Sequence, residues 1–163
     1  MPYFFRTSCM RAAACPLCMR DSNLLHELVA LSAHRDGASM ALAVNGVGVN
    51  YADLDGAITQ FANGLMALGL QRGDRVGIYL DKRFETVVAS FGTAAAGNVF
   101  VPINPVLKPE QVGFIARDCA VRVIVTSPDR LAQLEAANTL RHSPCVQHVI
   151  LTEPAPQSLA VTP

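Results

Sequence analysis

Short apolar runs recur at regular intervals along the second half of the chain. Four of them have the length of a strand: Val76–Leu80, Val99–Val101, Arg122–Thr126 and His148–Leu151. Their first residues are separated by 23, 23 and 26 positions, which leaves room for a helix between successive strands. This spacing predicts an α/β fold in which parallel strands are joined by right-handed βαβ crossovers and covered by helices. The second run is expected to be a buried strand.

Helical patterns fill the intervals between these runs. We expect helices at about 84–96, 109–118 and 128–139. Pro109 and Pro128 stand where two of them begin, and proline is favoured at the first helical position. Ser127 precedes one of these prolines and is interpreted as a helix cap rather than as a nucleophile.

A longer helix is predicted before the first of these strands. Its apolar face consists of Leu54, Ile58, Phe61, Leu65 and Leu68. These positions are three or four residues apart, as one face of a helix requires. Asn50 is expected to cap its start, and Gly69 is expected to end it in a left-handed conformation. The charged turn that follows, at 72–75, is expected to be solvated.

A helix and a small β-hairpin are predicted at the beginning of the regular pattern. The apolar stripe of the helix is Leu24, Leu25, Leu28, Val29 and Leu31. The hairpin is indicated by Asn45-Gly46 between the runs Met40–Val44 and Val47–Val49, because a two-residue turn with positive φ favours these residue types.

Composition narrows the class of protein. Of 163 residues, 51% are hydrophobic and 16% are charged, which is typical of a folded core and not of disorder. Thirteen basic and thirteen acidic residues balance, so no net charge would attract nucleic acid or anionic lipid. No run reaches the roughly 18 apolar residues of a membrane span. We expect a soluble, cytoplasmic protein with one α/β domain at 23–151, in which Cys119 and Cys145 are small buried residues.

Residues 1–22 are expected to be a disordered or mis-started leader. An arginine and a proline interrupt every apolar stretch there, so a signal peptide is not indicated. Cys15 and Cys18 have the spacing of metal ligands, and Cys9 lies nearby. A structural zinc site needs four ligands, and no further pair stands at a matching distance. No metal site is therefore assigned.

The turn after the first parallel strand is a common place for a nucleotide site. Here residues 80–85 read LDKRFE without a glycine, so neither a dinucleotide fingerprint nor a P-loop fits. Lys82 and Arg83 precede a helix whose N-terminus could bind an anion, but a solvated charge pair is the favoured interpretation. The four histidines show no metal-ligand spacing. The residues themselves predict a fold and assign no catalytic, cofactor-binding or metal-binding residue.

Five short segments stand in a characteristic order along the chain. They are Asn50–Leu54, Leu68–Leu70 with Arg72–Val76, Gly97–Pro105, Leu107–Gln111, and Asp118-Cys119 with Val123–Thr126. Together they resemble the motifs of the adenylate-forming (AMP-binding) acyl-CoA synthetase and ligase family, over about 24–151. The pattern at 102–109 and 118–127 is most similar to acyl-CoA ligase-like proteins associated with exosortase systems.

This resemblance implies the N-terminal part of an ATP-dependent acyl-CoA ligase. Such enzymes join a carboxylic acid to ATP as an acyl-adenylate and then pass the acyl group to coenzyme A or to a carrier thiol. ATP, magnesium and coenzyme A are thus implied for the full-length enzyme. The family's phosphate loop and catalytic lysine follow the last predicted strand, so no site residue is carried over, and 152–163 is expected to be a truncated proline-rich loop. We expect the 163-residue chain by itself to be inactive and to bind no cofactor.

Two alternatives remain open. The chain could be a non-catalytic binding or interaction module derived from the same fold. It could also be a doubly wound nucleotide-binding domain of another class, although the missing glycine turn argues against this. A fragment of the larger fold would expose a sheet edge and apolar helix faces, so we expect marginal stability and self-association.

Overall fold

The predicted α/β organisation is confirmed in a computed structural model that describes residues 23–44 and 46–152. The elements are α1 (Glu27–Asp36), β1 (Met40–Val44), β2 (Val47–Asn50), α2 (Tyr51–Ala67), β3 (Arg75–Tyr79), α3 (Phe84–Ala95), β4 (Val99–Pro102), α4 (Pro109–Asp118), β5 (Val121–Thr126), α5 (Pro128–Ala136) and β6 (His148–Leu151). The interpretations of the leader at 1–22, of its three cysteines and of the tail after Thr152 lie outside the described residues.

The main sheet has four parallel strands in the order β4-β3-β5-β6. β3 lies between two neighbours, because Val76 is paired with Phe100 of β4 and with Val123 of β5. β6 joins the outer side of β5, where His148 is opposite Val123. β1 and β2 form a separate antiparallel hairpin, as predicted, and Gly46 in its turn has a φ of 82°.

Helices cover both faces of the sheet, because alternate residues of a strand point to opposite faces. The core on the face of α2 and α3 contains Val76, Ile78, Leu80, Val123, Val125, Leu65, Leu70 and Ala89. The core on the face of α4 and α5 contains Tyr79, Ile103, Val121, Ile124, Val112, Ala116 and Leu134. α3 precedes β4 on one face, and α4 follows β4 on the other. The chain moves from β3 to β4 in one direction along the sheet and from β4 to β5 in the other. Because the two connecting helices lie on opposite faces, both crossovers have the same hand, as the right-handed rule requires.

α2 begins and ends where its predicted caps lie. The side-chain oxygen of Asn50 accepts a hydrogen bond from the Asp53 N–H at 2.8 Å. Gly69 follows the helix with a φ of 78°, a conformation that favours glycine. α4 begins at Pro109, and β6 spans His148–Leu151, both as predicted.

The expected burial of β4 is wrong, and most of the apolar stripe predicted for α1 is exposed. Within the described part of the chain, β4 is an edge strand that pairs with β3 alone, and Val99 is 49% exposed. α1 begins at Glu27 and buries only Val29 fully, whereas Leu24, Leu25 and Leu28 are exposed. The reason is that α1 packs through one side only, on the apolar cluster that it shares with α2 and α3.

Three smaller expectations are also corrected. α5 ends at Ala136 instead of about 139. Ser127 stands at the N-cap position of α5, but its side chain makes no cap hydrogen bond. Cys119 and Cys145 are half-buried rather than buried, because both lie where α4 and a loop meet at the margin of the core.

The charged turn before β3 was expected to be solvated, but it is bonded to the rest of the sheet. The Arg75 Nε donates to the carbonyl oxygen of Cys119 at 2.8 Å. Arg122 of β5 donates through Nη1 to the Asp74 carboxylate and through Nε to the side-chain oxygen of Gln147 at 3.1 Å. Polar contacts therefore connect the amino ends of β3, β5 and β6.

Hydrogen bonding lowers the pKa of Asp74 below its ordinary value of 3.8. The Gln71 N–H donates to the carboxylate at 2.7 Å and contributes most, burial opposes the shift, and Arg122 adds a hydrogen bond and positive charge. The ionised carboxylate is therefore more stable in the folded protein than in the unfolded chain.

α2 and α3 approach each other closely at Gly92. A Cβ atom at this position would lie 2.7 Å from Cδ1 of Phe61 and 3.0 Å from the carbonyl oxygen of Ile58. In contrast, a Cβ atom at Gly56 of α2 would meet no atom within 4 Å. Gly92 is therefore required by packing, whereas Gly56 is not.

We expect Asp74→Asn to lower the free energy of unfolding by about 1–2 kcal/mol near neutral pH, because the amide loses the charge-assisted hydrogen bonds. The folded pKa is depressed, so this contribution is present above the pKa of the unfolded state and is lost as pH falls through the folded pKa. Urea unfolding of both proteins from neutral to acid pH measures the difference, which should shrink with acid. Glu135→Gln, on the exposed surface of α5, is the matched control; equal losses in the two variants would contradict the assignment.

We expect Gly92→Ala to lower the free energy of unfolding by about 1–3 kcal/mol, because the added methyl group pushes α3 away from α2. Gly56→Ala is the matched control, and it should stabilise the protein by about 0.5–1 kcal/mol through helix propensity. Urea midpoints of the two variants compare them directly. A Gly92→Ala variant as stable as the control would mean that the helices are not in close contact here.

Candidate functional site

The carboxyl ends of the strands form the candidate site. In an open parallel sheet, ligands bind where neighbouring strands send their chains to opposite faces. β3 and β5 are such neighbours, since α3 follows β3 on one face and α5 follows β5 on the other. The crevice lies between the loops that begin at Leu80 and Ser127.

One arginine connects the loops around this crevice. Arg130, in the first turn of α5, donates through Nη2 to both carboxylate oxygens of Asp81 at 2.8 and 2.9 Å. Its Nη1 donates to the carbonyl oxygen of Pro105 at 2.6 Å. Its guanidinium carbon lies 4.8 Å from the ring centroid of Tyr79, whose hydroxyl donates to the Leu107 carbonyl at 2.9 Å. The loops after β3, β4 and β5 are therefore held together.

The electrostatics of this cluster favour the ion pair between Arg130 and Asp81. Burial opposes the charge of Arg130, whose side chain is 16% exposed, but the bonded Asp81 carboxylate and Tyr79 outweigh burial and raise the guanidinium pKa. Asp81 is 69% exposed, so water reaches this pair from one side. The Thr126 hydroxyl donates to the Tyr79 carbonyl at 3.0 Å and closes the base of the crevice.

Lys82 and Arg83, which the sequence analysis considered as an anion site and interpreted as a solvated charge pair, lie beside a cavity of about 380 Å³ between the hairpin and residues 81–85. The Arg83 Nε lies 2.7 Å from an oxygen of Glu85. This hydrogen bond is the main cause of the lowered pKa of Glu85, which burial opposes. The Glu85 carboxylate balances the charge of Arg83 in front of α3, so the geometry favours a surface ion pair over an anion site. Lys82 is exposed.

A second groove of about 480 Å³ runs beside β6. It is lined mainly by apolar side chains, among them Phe61, Val88, Val125, Ile150 and Leu151. Among the strands of residues 23–44 and 46–152, β6 pairs with β5 alone, so these strands leave the backbone groups of its outer edge unpaired. The exposed sheet edge expected from the sequence is present, and self-association through it stays a prediction.

Among the described residues, the histidines and the other possible metal ligands considered from the sequence do not form a site in the structure. Within the part of the chain that the structure describes, no three His, Cys, Asp or Glu side chains are placed to hold a metal ion. The His142 Nδ1 lies 2.8 Å from the carbonyl oxygen of Asn138, which accounts for it as a local contact. Sequence reasoning missed Asp81 and Arg130, because 49 positions separate them and neither belongs to a motif.

Among residues 23–44 and 46–152, no helix is long and apolar enough to cross a membrane. The parallel sheet with helices on both faces and a crevice at its carboxyl ends defines a doubly wound α/β domain. The family model described as "AMP-binding enzyme" matches residues 29–162. The chain belongs to the AMP-binding enzyme family, so the family predicted from its motifs is confirmed.

The relatives include ligases and peptide synthetases. Crotonobetaine/carnitine–CoA ligase of Proteus mirabilis (strain HI4320) is 33% identical over 104 residues, which are 64% of this chain and 20% of that protein. Surfactin synthase subunit 2 of Bacillus subtilis (strain 168) is 33% identical over 101 residues, 62% of this chain and 3% of that protein. The anthranilate CoA ligase AuaEII, solved in complex with anthranoyl-AMP, has a TM-score of 0.74 and 25% identity, covering 87% of this chain and 26% of that chain.

The chain therefore spans 26% or less of the length of each of these three proteins. The shared region is the N-terminal α/β part that the sequence analysis predicted. The more detailed resemblance to exosortase-associated ligase-like proteins stays a prediction.

We expect Arg130→Ala to loosen the loop at 103–108, because it removes the bonds to Asp81 and to the Pro105 carbonyl. Hydrogen exchange of the Val106 and Leu107 amides should become faster, and the free energy of unfolding should fall by about 1–3 kcal/mol. Arg130→Lys should behave similarly, since one ammonium group cannot reproduce the planar fork of contacts. Arg141→Ala, at an exposed position, is the control. Unchanged exchange in the Arg130 variants would show that this arginine does not hold the loop.

Proposed function

We propose that this chain forms the N-terminal α/β layer of an ATP-dependent acid–thiol ligase. The family match over 29–162, on a sheet that resembles part of an anthranilate CoA ligase, carries the proposal. In the proposed reaction, a carboxylate oxygen attacks the α-phosphate of ATP and pyrophosphate leaves. The thiol of coenzyme A or of a carrier then displaces AMP from the acyl group. Because ATP and coenzyme A are available there, the cytoplasm is the proposed location.

The described residues do not form the phosphate cradle that this reaction needs. A cradle directs free backbone N–H groups and cations at one point. The turn at 80–83 has no glycine, and Arg83 and Arg130 are each bonded to a carboxylate. The proposal therefore assigns ATP, magnesium and coenzyme A to residues outside the described part. This part supports them by holding the sheet and its carboxyl-end loops in place.

A non-catalytic binding module is the second candidate. The observation that favours it is the unpaired edge of β6 beside the apolar groove, which is a surface suited to another strand. The two candidates differ in one measurable respect. Only the ligase proposal requires this α/β layer to support acyl-adenylate formation when it is joined to a complete phosphate site.

A chimera tests that requirement. We would replace the matching segment of the Proteus mirabilis crotonobetaine/carnitine–CoA ligase with residues 29–152 of this chain and measure pyrophosphate release that depends on the carboxylic acid. The chimera should release pyrophosphate and form a thioester, whereas the 163-residue chain by itself should do neither. A chimera that unfolds cooperatively but has no activity would favour the binding module. Pyrophosphate release by the 163-residue chain would contradict the assignment of the phosphate site to other residues.

A further inference from the structure

The last turn of α4 contains a carbonyl group with an unusual partner. The final carbonyls of a helix lack the N–H groups that would normally bond to them. The Ala120 N–H, four residues after Ala116, bonds instead to the carbonyl oxygen of Arg117 at 3.0 Å. The carbonyl oxygen of Ala116 accepts a hydrogen bond from the thiol of Cys145, at a sulfur–oxygen distance of 3.4 Å. A cysteine from the loop before β6 therefore caps this end of α4.

A second cysteine, Cys119, directly follows the last residue of α4. Cys119 is three residues after Ala116, and residues at this spacing share one face of a helix. A short polar side chain in a helix reaches the carbonyl three or four residues before it. The thiol of Cys119 can therefore approach the carbonyl oxygen that the thiol of Cys145 already contacts. Both cysteines are free and half-buried, and Cys119 packs on the same apolar cluster as Val146, the neighbour of Cys145.

We propose that Cys119 and Cys145 form a reversible oxidation site that closes as an intrachain disulfide. One thiol, as its thiolate, attacks an oxygen of hydrogen peroxide and the O–O bond breaks; a sulfenic acid forms, and the released hydroxide takes up the proton that the thiol lost and becomes one water. The second sulfur then displaces the sulfenic oxygen as a second water while the S–S bond forms. The two sulfurs are oxidised together by two electrons, and the peroxide is reduced. A dithiol reductant reverses the reaction.

The disulfide would fasten the end of α4 to the loop before β6. The cysteines stand 26 positions apart in the chain, so the bond would close a loop that contains β5 and α5. Oxidation would also remove the thiol hydrogen that Cys145 donates to the Ala116 carbonyl. A covalent connection would replace a hydrogen bond at one point of the molecule, and the oxidised protein should unfold at a higher temperature.

Mass spectrometry of a variant that keeps only these two thiols tests the proposal. Cys9→Ser, Cys15→Ser and Cys18→Ser are combined, and the reduced protein is treated with hydrogen peroxide. The intact mass should fall by about 2 Da, the mass of two hydrogens, and the number of thiols that iodoacetamide labels should fall from two to none. Dithiothreitol should restore both thiols. Adding Cys119→Ser or Cys145→Ser should abolish the loss of mass and produce a gain of about 16 Da instead.

The unmodified chain provides a second measurement that does not depend on the variants. Non-reducing peptide mapping after peroxide should yield one linked pair of peptides that contain Cys119 and Cys145. The proposal would be overturned if both thiols still react with iodoacetamide after treatment with peroxide. Separate sulfinic acids at the two positions, or a link only between different chains, would overturn it as well.

Discussion

The burial of β3 on both faces is the constraint on which the rest of this fold depends. Val76 and Ile78 point to the α2–α3 layer, and Tyr79 points to the α4–α5 layer. At Gly77, a Cβ atom would lie 3.1 Å from Cγ1 of Val121 and 3.3 Å from Cδ1 of Ile103. The absence of a side chain at Gly77 therefore lets Val121 and Ile103 pack closely on this face of the strand. The positions of its neighbours β4 and β5, and of the helices between them, follow from this strand.

Arginine side chains hold both ends of the sheet. At the amino ends, Arg75 and Arg122 connect β3 to β5 and to the segment before β6. At the carboxyl ends, Arg130 connects three loops. A guanidinium group suits both places, because its planar fork can donate to several acceptors at once. The apolar cores fix which elements pack together, and these polar contacts fix how the ends of the strands are arranged.

The sequence predicted well those elements whose boundaries are set by residues close to them along the chain. α2 was indicated by its periodicity and by Asn50 and Gly69, and the start of α4 was indicated by Pro109. The parallel arrangement followed from the spacing of the apolar runs. Local patterns could not reveal that the α1 stripe is exposed or that β4 lies at an edge, since burial depends on what other elements cover.

The candidate site was not predictable from the sequence, for the same physical reason. Asp81 and Arg130 are common surface residue types, and only the folding of β3 beside β5 brings them together. The family, in contrast, could be identified because its motifs are local in sequence. They mark the glycine turns and strand ends that the fold requires.

The loop at 103–108 is held through its backbone, and this affects which substitutions it can accept in evolution. Arg130 bonds to the backbone carbonyl of Pro105, and Tyr79 bonds to that of Leu107. Every amino acid supplies such a carbonyl, so these anchors do not depend on the loop's own side chains. Val106, which is 82% exposed between them, can be exchanged without loss of either bond. The exposed position at Val106 can therefore vary while the course of the loop is preserved, which lets evolution change the surface at the carboxyl end of the sheet independently of the core beneath it.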